Sequence, residues 1–569
     1  MTLTAPATAP SDATVHAAFR RIATAHPDRP FLELLPEVAR HYGIAPIVLT
    51  YGRALDAIDA IATRFAAAGY GHGHRAGLLL ENRPSFFLNW LALNALGVSV
   101  VPINGELRAA ELEYLVGHSE LCVAVVRPDR VDDLRGAAAR AGREVCVVPS
   151  FDDEVDAGAA VRGPGSAPRG LAGLVRAAAA PPLRGTPDID TECGLLYTSG
   201  TTGRPKGCVL PNAYYLIAGA WYVGAGGLCA IRFGEDRLLT PLPMTHMNAM
   251  AYSTMAMVLS AGCVIPLDRF HPASWWASVR ASRATIVHYL GVMPAMLIGA
   301  SESADDRDHA VRFGFGAGVD RRHQAPFEAR FGFPLLEAWA MTETGAGAVV
   351  MANHEPRHVG QSCFGRAGAE LALRLVDEAG ADVPVDAPGE LLVRAAGGDP
   401  RRGFFREYLK DAAATAEAWA GGWFHTGDVV RRDADGYLYF IDRRKNVIRR
   451  SGENIAAVEV ESVLRRHPAV REVAVAATPD AVRGDEVLAC IVPGGSLDEA
   501  GRDALARELV ALCLGQLAYF KAPGWVAFVD ALPLTLTQKI QRGELKALAA
   551  TLPGSARCID TRALKKRPT

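Results

Sequence analysis

The sequence predicts an α/β protein with a large N-terminal lobe of two parallel-sheet α/β subdomains plus a small β-barrel-like unit, and a small α+β C-terminal lobe. Apolar runs alternate with helical patterns through about the first 360 residues, which is typical of parallel sheets. From about 361 to 442 short alternating runs are broken by Gly, Pro and Asp, which indicates an antiparallel β unit. The chain has 569 residues, enough for several structural units.

The first α/β subdomain is expected over about residues 1–190. Its helical pattern begins at Pro84 and ends at Gly97, and apolar runs precede and follow it. A strand, a helix and a strand at this spacing form a βαβ unit, whose strands run parallel. Apolar runs predict four strands here, at 75–80, 98–103, 121–126 and 145–148.

The second α/β subdomain is expected over about residues 191–360, and the β unit at 361–442 completes the lobe 1–442. Further strands are predicted at 194–197, 263–267 and 285–290. The stretch 238–267 holds no Asp, Glu, Lys or Arg, but several prolines interrupt it. It is therefore expected to be a buried strand–loop–helix–strand passage, with no integral membrane association.

The C-terminal lobe is expected over residues 443–569. Helical patterns and apolar runs alternate in it, with helices at about 457–467 and 499–518 and strands at 472–477 and 486–492. The last fifteen residues are basic and are expected to form a frayed, solvated tail.

Composition excludes several classes of protein. Lys plus Arg number 60 and Asp plus Glu 62, so the net charge of −2 gives no sign of a nucleic-acid binder. The ten cysteines form no C-x-x-C pair, so no zinc or redox motif is present. The N-terminus shows neither a basic patch nor an apolar core, so no signal peptide is expected and the location is expected to be cytoplasmic.

The segment Y-T-S-G-T-T-G-R-P-K-G, from Tyr197 to Gly207, carries the strongest chemical pattern. Glycines let the backbone turn its N–H groups toward an anion, hydroxyls add donors and a lysine adds charge. It is not a Walker A loop, because its lysine follows a proline and precedes a glycine. Phosphate is therefore expected to bind at Thr198, Ser199, Gly200, Thr201, Thr202, Gly203 and Lys206.

This loop resembles the phosphate loop of the adenylate-forming superfamily, which includes acyl-CoA synthetases, nonribosomal-peptide adenylation domains and luciferases. Four further motifs follow in the family's order between Tyr197 and Leu545, and the α/β region before the loop fits the family's N-terminal lobe. The resemblance implies a mobile C-terminal lobe and a reaction that uses ATP, Mg²⁺ and coenzyme A.

The second motif is E-A-W-A-M-T-E, from Glu337 to Glu343, and it is similar to the family's Y-G-x-T-E. The resemblance implies that Trp339 packs on adenine, that Thr342 contacts the α-phosphate and that Glu343 holds Mg²⁺, with Glu337 and Ala338 beside the nucleotide. Carboxylate oxygen suits a hard divalent ion that also binds phosphate. Trp339 replaces the customary tyrosine, and plain core packing is the alternative for it.

The third motif, G-W-F-H-T-G-D, ends at Asp428. The resemblance implies that this aspartate accepts hydrogen bonds from both ribose hydroxyls, and a carboxylate with two acceptor oxygens suits a vicinal diol. Taken alone, T-G-D would more often be a turn.

The fourth motif begins D-R-R-K-N at 442–446 and continues S-G-E-N-I at 451–455. The resemblance implies that Arg443 reaches the ribose or phosphate and that Lys445 is the hinge of the C-terminal lobe. It also implies that Gly452 and Glu453 line the tunnel through which the coenzyme A thiol enters. Without the other motifs this basic run would be a solvated loop.

The fifth motif is P-L-T-L-T-Q-K-I-Q-R, and its Lys539 matches the family's adenylation lysine. A flexible ammonium can bridge the carboxylate and the phosphate–ribose oxygen as charge moves in the transition state. Gln538 stands where the family has glycine, so this loop is expected to be stiffer.

Two weaker patterns concern the acyl group. His246 in P-M-T-H-M-N matches a family position at the acyl pocket and the tunnel mouth, although a lone histidine is commonly structural. Gly316, Ala317 and Gly318 match a segment of small residues that flanks adenine and the acyl group. Other residues expected to border the acyl pocket are Asn248, Met293 and Gly345.

These motifs predict an ATP-dependent, AMP-forming carboxylic acid:CoA ligase that works through an acyl-adenylate, most similar to bacterial ligases of the fatty-acid or carnitine type. The second hypothesis is an enzyme that loads a carboxylic acid onto a separate carrier protein. A hydrolase or kinase with a glycine loop is a further alternative, against which the absent Walker Ser/Thr argues. A non-catalytic nucleotide-binding relative is another, against which the retention of Lys539, Glu343 and Asp428 argues. The acid stays open among aliphatic, aryl and small polar acids, and a homodimer is the default expectation for the assembly.

Overall fold

The computed structural model of the chain describes residues 12–150, 152, 171, 173–198, 204–443, 447–533 and 540–565. These residues form two compact units. The first unit comprises Met1–Gly105, Val116–Leu196 and Gly207–Asp442, and the second comprises Glu106–Leu115, Tyr197–Lys206 and Arg443–Thr569.

The strands of the chain are, in order, β1 (Pro30–Leu34), β2 (Ile47–Thr50), β3 (Arg75–Leu79), β4 (Ser99–Pro102), β5 (Val123–Val126), β6 (Cys146–Pro149), β7 (Glu192–Thr198), β8 (Lys206–Pro211), β9 (Arg237–Thr240), β10 (Cys263–Pro266), β11 (Ile286–Leu290), β12 (Phe313–Ala317), β13 (Leu335–Trp339), β14 (Val350–Met351), β15 (Cys363–Gly365), β16 (Leu371–Val376), β17 (Pro388–Ala395), β18 (Glu407–Tyr408), β19 (Phe424–Arg432), β20 (Leu438–Arg443), β21 (Val447–Arg450), β22 (Glu453–Ala456), β23 (Val470–Asp480), β24 (Gly484–Pro493), β25 (Trp525–Phe528) and β26 (Cys558–Asp560).

The α-helices span Val15–Ala25, Pro36–Tyr42, Tyr51–Ala67, Pro84–Ala95, Ala109–Ser119, Val131–Arg140, Asn212–Gly224, Met255–Leu259, Trp275–Ser282, Val292–Ile298, Arg321–Phe331, Ala412–Ala418, Ala457–Leu464, Glu499–Gln516 and Arg542–Thr551. A π-helix spans Asn248–Thr254. Among the described residues, no helix is long and apolar enough to cross a membrane.

The first unit is built on two large sheets with parallel cores, as predicted. One has the order β18-β8-β7-β4-β3-β5-β6, and the other has the order β14-β13-β12-β11-β9-β10-β1-β2. Strands β3, β4 and β5 pair in parallel around the Pro84–Ala95 helix, which confirms the βαβ unit. Proline suits the first turn of this helix, because N–H groups in the first turn have no acceptor within the helix and the N–H that proline lacks is not needed there.

The two large sheets exchange strands across the expected boundary near residue 190. Strands β1 and β2 come from the start of the chain but join the sheet of β9 to β14. Strands β7, β8 and β18 come after residue 190 but join the other sheet, so the strand predicted at 194–197 lies outside the sheet of its expected subdomain. Hydrogen bonds between strands decide which sheet a strand belongs to. Strands that are distant in sequence can form these bonds, although neighbours in sequence pair more often. A third sheet, β15-β20-β19-β17-β16, is antiparallel throughout and matches the predicted small β unit.

The passage 238–267 is a buried strand, π-helix, short helix and strand, as its sequence indicates. Strands β9 and β10 at its two ends pair in parallel. Its apolar side chains belong to the main core of the first unit, which explains why the passage needs no charged residues.

The second unit is an α+β arrangement in which β24 pairs with β21, β23 and β25. The helices Ala457–Leu464 and Glu499–Gln516 agree with the predicted ones, and their buried side chains share one core with β23 and β24. The Asp498 side chain caps the second of these helices by accepting from the Gly501 N–H.

The expectation of a frayed C-terminal tail is wrong up to residue 565. Strand β26 pairs with β25, and the Lys565 side chain is fully buried beside the fully buried Glu486. The Arg450 Nε donates to both Glu486 carboxylate oxygens, at 2.9 and 2.8 Å. Glu486 is a buried carboxylate on β24 and requires Arg450 and Lys565 as counter-charges. The number of charges in the C-terminal tail does not show that Lys565 pairs with Glu486.

The pKa values of this buried group follow from the same contacts. Burial, with repulsion by Arg450 added, lowers the pKa of Lys565 to about 8. Burial alone would raise the pKa of Glu486, but Lys565 and Arg450 outweigh it and hold that pKa below its ordinary value.

Glu486→Gln is expected to destabilise the second unit by about 3–5 kcal/mol, because it leaves Arg450 and Lys565 buried without a counter-charge. Lys565→Met is the matched control. It should lower the stability of the second unit less than Glu486→Gln does, since Glu486 keeps its pairing with Arg450. Amide hydrogen exchange in β24 and β25 measures both effects. Equal protection in Glu486→Gln and the unmodified chain would contradict this account.

Candidate active site

The candidate active site begins at one edge of the larger parallel sheet. Strands β9, β11, β12 and β13 are neighbours and run parallel, so their carboxyl ends meet at the same edge. Ligands of open α/β sheets bind at that edge. Predicted site residues at or after these strand ends are His246, Asn248, Met293, Gly316, Ala317, Gly318, Trp339, Thr342, Glu343 and Gly345.

Trp339 and Asp428 are joined directly. The Trp339 indole Nε1 donates to the Asp428 Oδ2 over 2.9 Å, and Asp428 is only 1% exposed. The Asp428 backbone N–H donates to the Thr426 hydroxyl, which in turn donates to the Leu391 carbonyl. The carboxylate predicted for ribose is therefore held in one orientation by the ring predicted for adenine. Sequence reasoning treated the two residues separately.

Glu343 is buried and receives a hydrogen bond from a residue that sequence reasoning missed. The Tyr408 hydroxyl donates to Glu343 Oε1 over 2.9 Å. Burial, with the nearby carboxylate added, raises the pKa of Tyr408 well above its ordinary range, so this hydroxyl stays a donor. The Tyr214 hydroxyl donates to the Thr342 carbonyl and steadies the same segment. Neither tyrosine lies in a recognisable motif, so the sequence alone held no signal for them.

The Glu337 carboxylate braces the turn after β12. It accepts from the Gly318 N–H at 2.8 Å, the Val319 N–H at 3.2 Å and the Tyr289 hydroxyl at 2.6 Å. Gly316 lies so close to Tyr289 that a Cβ there would come within 2.2 Å of the Tyr289 carbonyl oxygen. The small-residue segment thus follows from close backbone packing. Contact of Glu337 or Ala338 with a nucleotide stays a prediction.

The acyl-pocket candidates lie in different surroundings. Asn248 is half-buried and its Oδ1 lies 2.7 Å from the His288 Nδ1. The Tyr252 hydroxyl donates to the Gly345 carbonyl, which links the π-helix to the segment after β13. His246 is half-buried at the start of this region, whereas Met293 is buried in the main core.

The predicted phosphate loop is only partly described. Residues Ser199, Gly200, Thr201, Thr202 and Gly203 lie outside the described residues, whereas Thr198 ends β7 and Lys206 begins β8. Within the second unit, the Tyr114 hydroxyl donates to the Pro205 carbonyl over 2.8 Å, and the Arg204 guanidinium lies over the Tyr114 ring. Tyr114 thus anchors the exit of the loop, a role its sequence position did not suggest.

The remaining predicted residues belong to the C-terminal segment. Lys445 and Lys539 lie outside the described residues, as does the Arg443 side chain. Gly452, with φ of +89°, follows Ser451, with φ of +51°, in the tight turn between β21 and β22. Two left-handed residues are what such a hairpin turn requires. This turn explains Gly452 structurally, and its place with Glu453 in a thiol tunnel stays a prediction.

The sequence matches the family described as AMP-binding enzyme over residues 19–409 and the family's C-terminal domain over residues 459–539. It is 30% identical over 497 residues to the crotonobetaine/carnitine–CoA ligase of Escherichia coli O45:K1 (strain S88 / ExPEC), covering 86% of this chain and 91% of that protein.

Solved structures share the fold. An o-succinylbenzoate CoA synthetase from Bacillus subtilis superposes with a TM-score of 0.76 at 22% identity, covering 93% of this chain and 98% of that one. An amide bond synthetase from Marinactinospora thermotolerans superposes with a TM-score of 0.74 at 23% identity, covering 94% and 99%.

Trp339→Phe is expected to weaken AMP binding about tenfold or more, because it removes a hydrogen bond to a buried charged group while keeping an aromatic ring. Titration calorimetry with AMP measures the change. Trp276→Phe is the matched control, since Trp276 packs on His309 and Phe331 instead. Unchanged AMP affinity in Trp339→Phe would contradict the role of this hydrogen bond.

Proposed function

The chain belongs to the family of AMP-binding enzymes and is an AMP-forming acyl-CoA ligase, and on that premise we propose how its residues divide the two half-reactions. The observation that carries the proposal is the edge of the larger parallel sheet, where Trp339, Asp428 and Glu343 are each held by buried hydrogen bonds.

The first half-reaction joins the carboxylic acid to AMP. A carboxylate oxygen attacks the α-phosphorus of ATP, and pyrophosphate leaves. We assign Asp428 to the ribose hydroxyls, with Trp339 fixing its carboxylate and packing beside adenine. Thr342 and the loop from Thr198 to Lys206 bind the phosphates. Such groups act by positioning the reactants and by stabilising the charge that develops in the transition state.

Lys539 is the residue we assign to the adenylation transition state, with Arg443 on the ribose or phosphate. The ammonium bridges the attacking carboxylate and the phosphate–ribose oxygen. This assignment is supported by the match of the family's C-terminal domain, whose last matched residue is 539.

Glu343 fits the Mg²⁺ that the family uses. Its carboxylate is buried and is oriented by the Tyr408 hydroxyl, and carboxylate oxygen is the ligand that a hard divalent ion prefers. When bound, the ion neutralises phosphate charge. Tyr408 is the residue that keeps this carboxylate in place.

The second half-reaction transfers the acyl group to sulfur. We propose that the C-terminal lobe, residues 443–569, pivots at Lys445, so that Lys539 leaves and the turn with Gly452 and Glu453 lines the entry of coenzyme A. The thiol attacks the acyl carbonyl, the carbon–oxygen bond to AMP breaks, and AMP leaves. His246 is assigned to the mouth of this entry and the acyl pocket. Asn248, Met293 and Gly345 are assigned to that pocket.

The cellular setting follows from the chemistry. A thiol substrate and ten cysteines, all free among the described residues, suit a reducing cytoplasm. We propose that location, with a homodimer as the default assembly.

Acid-dependent release of pyrophosphate, measured with ATP, Mg²⁺ and a panel of carboxylic acids, tests the proposal. Release is expected to accelerate with coenzyme A and to fall about 100-fold or more in Lys539→Ala, because the group that stabilises transition-state charge is lost. Thioester formation from a supplied acyl-adenylate should persist in that variant. Lys546→Ala, on the next helix, is the matched control.

Three outcomes separate this function from its rivals. Equal release in Lys539→Ala and the unmodified chain would contradict the assignment of Lys539. Pyrophosphate release that coenzyme A does not accelerate would indicate a carrier protein as the acyl acceptor. A folded protein that binds ATP and releases no pyrophosphate with any acid would be a non-catalytic relative.

A further inference from the structure

We propose that Asn248, oriented by the buried His288, makes this site select acids that carry a neutral hydrogen-bond acceptor oxygen beyond the carboxylate. The inference rests on the proposed function, because it takes Asn248 to border the acyl group. Its physical basis is one chain of hydrogen bonds, from Tyr222 through His288 to Asn248.

His288 is a neutral residue inside the first unit. It lies on β11, is fully buried and packs on the Phe315 ring with centroids 4.9 Å apart. Burial lowers the pKa of its imidazole to about 3. The polar groups that face the ring among the described residues are the Tyr222 hydroxyl, the Ser253 hydroxyl and the Asn248 amide, none of them charged.

The surroundings decide which ring nitrogen of His288 carries the proton. The Tyr222 hydroxyl is fully buried and lies 3.1 Å from Nε2. Burial raises the pKa of Tyr222 well above its ordinary range, so the phenol is protonated and has a proton to donate. Nε2 accepts that proton's hydrogen bond, which places the single imidazole proton on Nδ1.

The protonated Nδ1 in turn orients the Asn248 amide. It donates to the Asn248 Oδ1 at 2.7 Å, with the Ser253 Oγ at 2.9 Å as a second acceptor. The reversed amide would set its NH₂ group against an N–H donor. Oδ1 therefore faces His288, and the Nδ2 donors face away from it.

The Nδ2 group of Asn248 points away from His288 and lies at the edge that holds the candidate site. Asn248 is half-buried and is the first residue of the π-helix that follows β9. Within the described part of the chain, no group accepts a hydrogen bond from Nδ2. Single π-helical turns are frequently found at functional sites, because they shift side chains out of the ordinary helical register.

A fixed amide donor favours one chemical class of acyl group. A carbonyl, hydroxyl or ether oxygen can accept a hydrogen bond from Nδ2. A plain hydrocarbon chain would displace water from this donor and leave it without a hydrogen bond. Among the described residues, no Lys or Arg forms a hydrogen bond with Asn248, Ser253 or His288, so a second carboxylate would meet only a neutral donor. A neutral oxygen is the acceptor that fits.

Matched acids test the inference. Pyrophosphate release is measured for straight-chain acids and for analogues of equal length that carry one hydroxyl or keto oxygen at successive carbons. The unmodified enzyme should favour the best oxygenated acid at least about tenfold in kcat/KM, since a site that hydrogen-bonds a substrate discriminates strongly against the analogue lacking the group. Asn248→Leu should abolish this preference, mainly by raising KM for the oxygenated acid.

Variants of His288 test its positioning role. His288→Phe should lose the preference as Asn248→Leu does, whereas His288→Gln, whose amide can still donate to Oδ1, should restore part of it. Ser253→Ala is the matched control and should leave the preference within about twofold, because the contact of Nδ1 with Asn248 remains. AMP binding and the melting temperature are measured for each variant to confirm folding.

Failure of the acyl specificity and failure of the ligase function give different results. Two results would overturn this inference and leave the ligase function intact. One is a preference of the unmodified enzyme for plain alkyl acids. The other is an equal fall in kcat/KM for the alkyl and the oxygenated acid in Asn248→Leu. Absence of pyrophosphate release with every acid would overturn the proposed function and this inference with it.

Discussion

Parallel pairing of β9, β11, β12 and β13 is the constraint on which the candidate site depends. Since neighbouring parallel strands end at the same edge, four separate stretches of the chain deliver their following residues to one place. The close packing of Gly316 against Tyr289 holds two of these strands together at that edge. A side chain at Gly316 would push the strands apart and separate the residues assigned to the nucleotide from those assigned to the acyl group.

Buried hydrogen bonds then orient the side chains at this edge. Trp339 holds Asp428, Tyr408 holds Glu343, and His288 holds Asn248, each by a donor whose own surroundings exclude water. A buried polar group without a partner is costly, so each pair has one favoured arrangement. The candidate site is thereby organised without a ligand, which would limit the reorganisation needed during the proposed reaction.

Sequence patterns predicted the architecture and the motifs, but not these partners. Apolar periodicity reveals strands such as β3 and β4, and a motif such as T-S-G-T-T-G reveals phosphate chemistry, because both depend on neighbours in the chain. Tyr408 and His288 act through residues distant in sequence, so no local pattern marks them. Lys565 looked like part of a solvated basic tail for the same reason, since its partner Glu486 lies on another strand.

We assign the attack on the α-phosphorus of ATP to the acid's own carboxylate. Mass spectrometry of AMP formed from a carboxylic acid labelled with oxygen-18 in its carboxylate checks this assignment. AMP is expected to acquire one labelled oxygen, because the carboxylate oxygen stays on phosphorus when the thiol takes the acyl group. Unlabelled AMP, or label found in pyrophosphate or free phosphate, would contradict it.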